Sequence, residues 1–97
     1  MNLGTRTKQT WEEIDYVFQY GNALGDDTIS TVTALAETSL GADATATVVT
    51  SANIVDTDVV VRLKAGTNGE TYKVTSRATT SSGQKFEDEF YLVVADI

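Results

Sequence analysis

The clearest hydrophobic pattern in the chain lies in its last third. Tyr72, Val74, Ser76 and Ala78 fall on one parity, and after the Ser81-Ser82-Gly83 turn the residues Phe86, Phe90, Leu92 and Val94 do the same, with Asp88 intruding. A period of two on both sides of a Ser/Gly turn predicts a β-hairpin whose arms share an inward face. Val59, Val61 and Leu63 alternate with Arg62 and Lys64 and predict another strand just upstream. In the segment from Trp11 to Tyr20, helical spacing (Trp11, Ile14, Phe18) competes with alternation (Ile14, Tyr16, Phe18, Tyr20). Aromatic and β-branched content and the Gly21-Asn22 stop favour a strand, with room for a short helical turn over 10–13.

Weaker patterns fill the middle. Residues 28–36 read as a strand in which Ile29 and Leu35 share parity with Thr31 and Thr33, leaving Val32 on the opposite face. The Ala/Thr alternation over 44–50 predicts a further strand, and residues 53–58 read as a turn whose Ile54-Val55 pair plugs one end of the core. Residues 1–10 show no apolar period and predict an extended N-terminal arm, with the domain proper running from 11 to 97. Six or seven strands separated by Gly, Asn, Asp and Ser turns, with no long helix, predict an all-β fold: a single immunoglobulin- or fibronectin-III-like antiparallel β-sandwich of about seven strands. Within it, Gly66, Gly69 and Tyr72 form a corner of immunoglobulin type. The glycines allow the positive-φ turn, and the tyrosine hydroxyl reaches an upstream backbone group.

Composition narrows the chemistry. The chain has 97 residues, enough for one core, with 41% hydrophobic and 22% charged residues, and no apolar run long enough to span a membrane. Cysteine and histidine are both absent. Their absence removes disulfides, thiolate and imidazole chemistry and the commonest zinc ligands, so the chain reads as a non-enzyme without a cofactor. A formal net charge of -7 argues against nucleic acid as a partner, and nothing points to a membrane. The charge is uneven, because residues 1–10 carry Arg6 and Lys8 and no acid. A basic arm on an acidic body suggests contact with a neighbouring acidic surface, and Thr5, Arg6, Thr7, Lys8 and Trp11 are the interface candidates.

Three acidic groups deserve a chemical reading: Asp26-Asp27, Asp56/Asp58 and Glu87/Glu89. A glycosidase pair requires a cleft and one carboxyl of raised pKa, which exposed turns seldom supply. Calcium held by Asp26, Asp27, Asp56 and Asp58 at the sandwich end is the weaker metal alternative, since no EF-hand loop is present. The Gly66-Thr67-Asn68-Gly69 stretch lacks the Lys-Ser/Thr of a phosphate loop and precedes a strand, so it reads as a turn.

Lys8, Glu12-Glu13-Ile14-Asp15-Tyr16, Ala23-Leu24, Asp26-Asp27-Thr28-Ile29, the run from Ala65 to Thr75, Ser82-Gly83 and Phe86 to Val94 occur in an order that resembles small immunoglobulin-like virion proteins of tailed bacteriophages and prophages. Tyr20 stands where that family often has Trp, and the family's usual prolines are missing. The resemblance implies a virion structural protein, present in the host cytoplasm during assembly, that binds other virion proteins or further copies of itself. Its role would be a neck, tail or fibre adaptor or a capsid decoration (cement) protein. The alternative is an adhesion module that binds carbohydrate or calcium through its loops.

Overall fold

The computed structural model describes residues 2–97. Seven strands run in chain order as β1 (Asn2–Lys8), β2 (Ile14–Gln19), β3 (Ile29–Glu37), β4 (Val49–Val55), β5 (Asp58–Leu63), β6 (Thr71–Thr80) and β7 (Lys85–Val94). Single helical turns, α1 (Gly21–Leu24) and α2 (Thr45–Val48), precede β3 and β4. One sheet has the order β1-β7-β6-β3 and the other β2-β5-β4. Setting β2, β5 and β4 against β7, β6 and β3 reproduces the two-sheet division of an immunoglobulin domain, so the all-β sandwich expected from the alternation is present.

The core forms where the two inner faces meet. Phe18 of β2, Val59, Val61 and Leu63 of β5, and Tyr72, Val74, Phe90, Leu92 and Val94 of β6 and β7 are all buried. Tyr16 stacks on Phe90 with ring centroids 3.7 Å apart, and Phe18 meets the same ring at 5.7 Å. These rings tie the sheets together across the sandwich, each pair adding about 0.5–1.5 kcal/mol beyond its buried area. The Tyr20 hydroxyl donates to Ser76 Oγ at 3.0 Å inside the core, so the two buried polar groups satisfy each other.

The corner before β6 has a defined bond. Tyr72 is buried, and its hydroxyl accepts the Thr67 N–H at 2.9 Å, five residues upstream. Gly66 (φ 92) and Gly69 (φ 89) carry the turn in the left-handed region. At Gly66 there is a second reason for glycine, because a Cβ would stand 2.7 Å from Val94 Cγ2 and 3.4 Å from Tyr72 Cε2. Gly69 N–H in turn donates to Val94 O at 2.8 Å, which locks the corner to the end of β7.

Several expectations are corrected. The residues of the extended arm are extended over Asn2–Lys8, but they run parallel to β7, with Thr5 opposite Tyr91 and Lys8 opposite Val94. The sandwich is therefore not wholly antiparallel, although the other four pairings among the described residues are. The Ala/Thr run over 44–50 is not one strand. Ala44 and Val48 are buried one helical turn apart, and Asp43 Oδ1 accepts both the Thr45 N–H (3.1 Å) and its hydroxyl (2.7 Å), which holds the first turn of α2. β4 consequently begins later and runs through the segment expected as a turn. The turn shrinks to Asp56-Thr57, where Asp56 takes φ 54, a conformation its short polar side chain tolerates. Ile54 and Val55 pair with β5 and are exposed, so they do not plug the core. In β3 a register shift between Ile29 and Thr31 inserts a residue, so Ile29 joins Val32, Ala34 and Ala36 on the inner face instead of opposing Val32.

Candidate interaction surface

Lys8 is the last residue of β1, opposite Val94, and it is the one residue of the strand that is buried. Lys8 is 1% exposed, and its ammonium donates to Gln9 O at 2.6 Å and Thr10 O at 3.3 Å. Burial pushes its pKa down, while the nearby carboxylates of Glu12, Asp96 and Glu13 act in the opposite sense. The amine is thus spent on the backbone of the turn that follows it. Thr5, Arg6 and Thr7 remain exposed on the edge of the sheet.

That turn, residues 9–12, is held through Gln9, Thr10 and Glu12. Gln9 N–H donates to Glu12 Oε1 (2.6 Å) and Glu12 N–H to Gln9 O (3.2 Å). Thr10 gives both its N–H (2.8 Å) and its hydroxyl (3.0 Å) to Asp96 Oδ1, and Asp96 N–H donates to Asn68 Oδ1 at 3.0 Å. Ala95 N–H completes the frame on Lys8 O at 2.9 Å. Trp11 sits at the centre with its side chain 93% exposed, beside an open hollow that it lines with Glu13, Lys64 and Ala65. Leu40, 95% exposed, lies at the same end of the sandwich on the loop after β3, where Ser39 donates its N–H and hydroxyl to Glu70 Oε1.

The acidic groups are placed otherwise. Asp27 accepts from Ser82 Oγ at 2.5 Å, Ser82 N–H at 3.3 Å and Thr28 N–H at 2.9 Å, fastening the loop after α1 to the β6–β7 turn. The Ser82 and Thr80 hydroxyls hold its carboxyl below the usual range. Asp56 lies in the β4–β5 turn and Asp58 opens β5 just after it. Among the described residues no group of three or more His, Cys, Asp or Glu is placed to share a cation. Three exposed ion pairs, Arg62–Asp15 (2.5 Å), Lys73–Glu37 (3.5 Å) and Arg77–Glu87 (2.6 Å), use up cations on the outer sheet faces.

Sequence reasoning singled out Trp11 but missed its frame. Glu12 three residues after Gln9 was a local signal for a reciprocal cap. The pairing of Thr10 with Asp96, 86 positions away, had none.

No curated protein matches the chain. A family model described as podophage GP4 fiber-tail adaptor protein gp77 matches residues 8–93, which begins at the buried Lys8 and runs to within four residues of the end. The chain belongs to this family of small phage tail-fibre adaptor proteins.

Proposed function

We propose that the protein is a non-enzymatic virion component that joins neighbouring subunits where the tail fibre attaches, binding them through complementary surfaces at the β1 edge and the Trp11 turn. The observation that carries this reading is the placement of β1. It is an edge strand with six of its seven residues exposed, and it leads directly into the hydrogen-bonded turn that carries the exposed Trp11. An edge strand offers unpaired backbone donors and acceptors to an incoming chain, and this one carries no proline and no acidic residue to discourage it. Membership of a fibre-tail adaptor family supports a role in the virion, and the lack of His and Cys supports the absence of catalysis.

Amide hydrogen exchange tests the reading. Residues 2–12 are expected to exchange measurably in the isolated chain, since β1 has a single neighbour, and to slow by at least about tenfold in assembled particles. Equal rates in both would remove β1 and the Trp11 turn from the interface.

A further inference from the structure

β7 is longer than the strand that borders it. Among the described residues β1 pairs with it only from Glu89 to Val94, so Lys85–Asp88 have β6 on one side and no strand on the other. In that stretch the register sets a small residue, Ala78, opposite Phe86, whose ring stacks on Tyr20 with centroids 6.1 Å apart and is only partly buried. Around the pair lies a mainly apolar hollow of about 340 Å³, bordered by Arg77, Lys85 and Glu87. Its volume stands at the lower end of the roughly 300–1,000 Å³ of pockets that enclose a small molecule, which leaves room for one large aromatic side chain.

The other end of the same molecule carries a group that fits. Trp11, the only tryptophan in the chain, is 93% exposed on the turn bonded to Asp96, just past the end of β7. The hollow lies at the start of β7, so ten residues of strand, roughly 30 Å, separate the two and no chain reaches its own hollow. An indole left in water gains by burial, and tryptophan is among the side chains on which interfaces most often depend. The charges correspond as well. Glu12, Glu13 and Asp96 lie on or beside the Trp11 turn, where the cations are Lys64 and an Arg62 already engaged by Asp15. At the hollow, Glu87 holds Arg77 at 2.6 Å, while Lys85 is exposed and belongs to no ion pair among the described residues.

We infer that Trp11 of one copy docks in the Ala78–Phe86 hollow of a second copy, with Glu13 set against Lys85. The inference rests on the proposed use of the Trp11 turn as an interface and names the surface it meets. The two surfaces occupy different places on the molecule, so the contact is head to tail and every copy offers both halves of it. A net charge of -7 opposes the approach of two copies, but exposed charges more than about 10 Å apart are largely screened at 0.1 M salt, whereas the contact sets opposite charges side by side.

The emission of Trp11 reads the contact in the isolated full chain, since no other tryptophan contributes. The emission maximum is expected to move to shorter wavelength as the concentration rises from micromolar to millimolar, together with a rise in sedimentation coefficient. Lys85→Glu and Glu13→Lys, each first shown to keep the wild-type melting temperature, are expected to need at least about tenfold more protein for the same shift. Mixing these two variants restores a complementary pair and is expected to recover most of the loss, while Val55→Ala, on the β4–β5 hairpin, behaves as wild type. The chain has no cysteine, so Glu13→Cys and Lys85→Cys chains mixed under oxidising conditions are expected to form the mixed disulfide dimer at least about tenfold more often than either like pair. An emission maximum that does not change with concentration, no recovery on mixing the charge variants, or like pairs as frequent as mixed ones overturns the inference and leaves the adaptor role standing. Virions that lack the chain, with the contact present in solution, overturn the adaptor role and leave the contact.

Discussion

Gly66→Ala isolates the corner that joins β6 to the end of β7. Two effects add at this position. The backbone stands at φ 92, in a region that costs an L-residue about 1–2 kcal/mol. The new Cβ would also lie 2.7 Å from Val94 Cγ2 and 3.4 Å from the Tyr72 ring, and both neighbours are buried and held, so overpacking adds about 1–3 kcal/mol. The sum is about 2–5 kcal/mol, which in a domain of this size lowers the melting temperature by roughly 10–30 °C. Gly69→Ala is the internal control. It has nearly the same φ, 89, but nothing within 4 Å of the added Cβ, so only the backbone cost of about 1–2 kcal/mol remains. Thermal unfolding followed by far-ultraviolet circular dichroism measures both. Adding Val94→Ala to Gly66→Ala relieves the clash, so the double variant loses less stability than the sum of the two single variants by about 1 kcal/mol or more. Equal shifts for Gly66→Ala and Gly69→Ala, or strict additivity with Val94→Ala, would refute the packing account of the corner.

Further outcomes follow from other contacts. Tyr20→Phe leaves buried Ser76 Oγ without the tyrosine hydroxyl and is expected to cost about 1–2 kcal/mol by urea unfolding, whereas Arg77→Ala, in an exposed pair, costs less than about 1 kcal/mol. Lys8→Met keeps the buried stem but removes the donors to Gln9 O and Thr10 O, so time-resolved anisotropy of Trp11 gains a fast component; unchanged anisotropy removes Lys8 as the residue that holds the turn. Asp27, Asp43 and Glu70 all have folded pKa values below their ordinary ones, through bonds from Ser82, Thr45 and Ser39 respectively. For a carboxyl of this kind the stabilisation is complete above the unfolded pKa and is lost as pH falls through the folded one. Melting temperature should therefore be flat near neutrality and fall below about pH 4, and Asp27→Asn should show a shallower acid decline than wild type.

The strands that were easiest to read in the sequence were those with one wet and one dry face. β5, β6 and β7 alternate because Arg62, Lys73 and Glu87 stand outside while Leu63, Val74 and Phe90 stand inside. Where side chains are small or uniformly β-branched the signal fails. Ala44 and Thr45 suit a helical turn as well as a strand, and the choice was made by Asp43, a local partner two residues before Thr45, and by contact with Ala36, nine residues away on β3. The parity of β3 was hidden by a bulge, which leaves no mark on a run of Thr, Val and Ala. β1 shows no apolar period because only Lys8 among its residues is buried, and the reason a lysine can occupy that place lies in two carbonyl groups of the adjoining turn. Trp11 was legible as an unplaced aromatic at the end of a polar stretch. Part of the frame of its turn is local, through Lys8 and Glu12, but the rest comes from the far end of the chain, through Asp96 and Asn68, and no local pattern announces it.

The fibre complement of particles assembled without this chain shows whether it connects fibre to tail. Particles are purified from cells lacking the protein and from cells in which it is restored, and fibre protein per particle is measured by quantitative mass spectrometry alongside electron microscopy. The expected result is particles with heads and tails whose fibres are missing, regained on restoring the wild-type chain. A full set of fibres in its absence would contradict it.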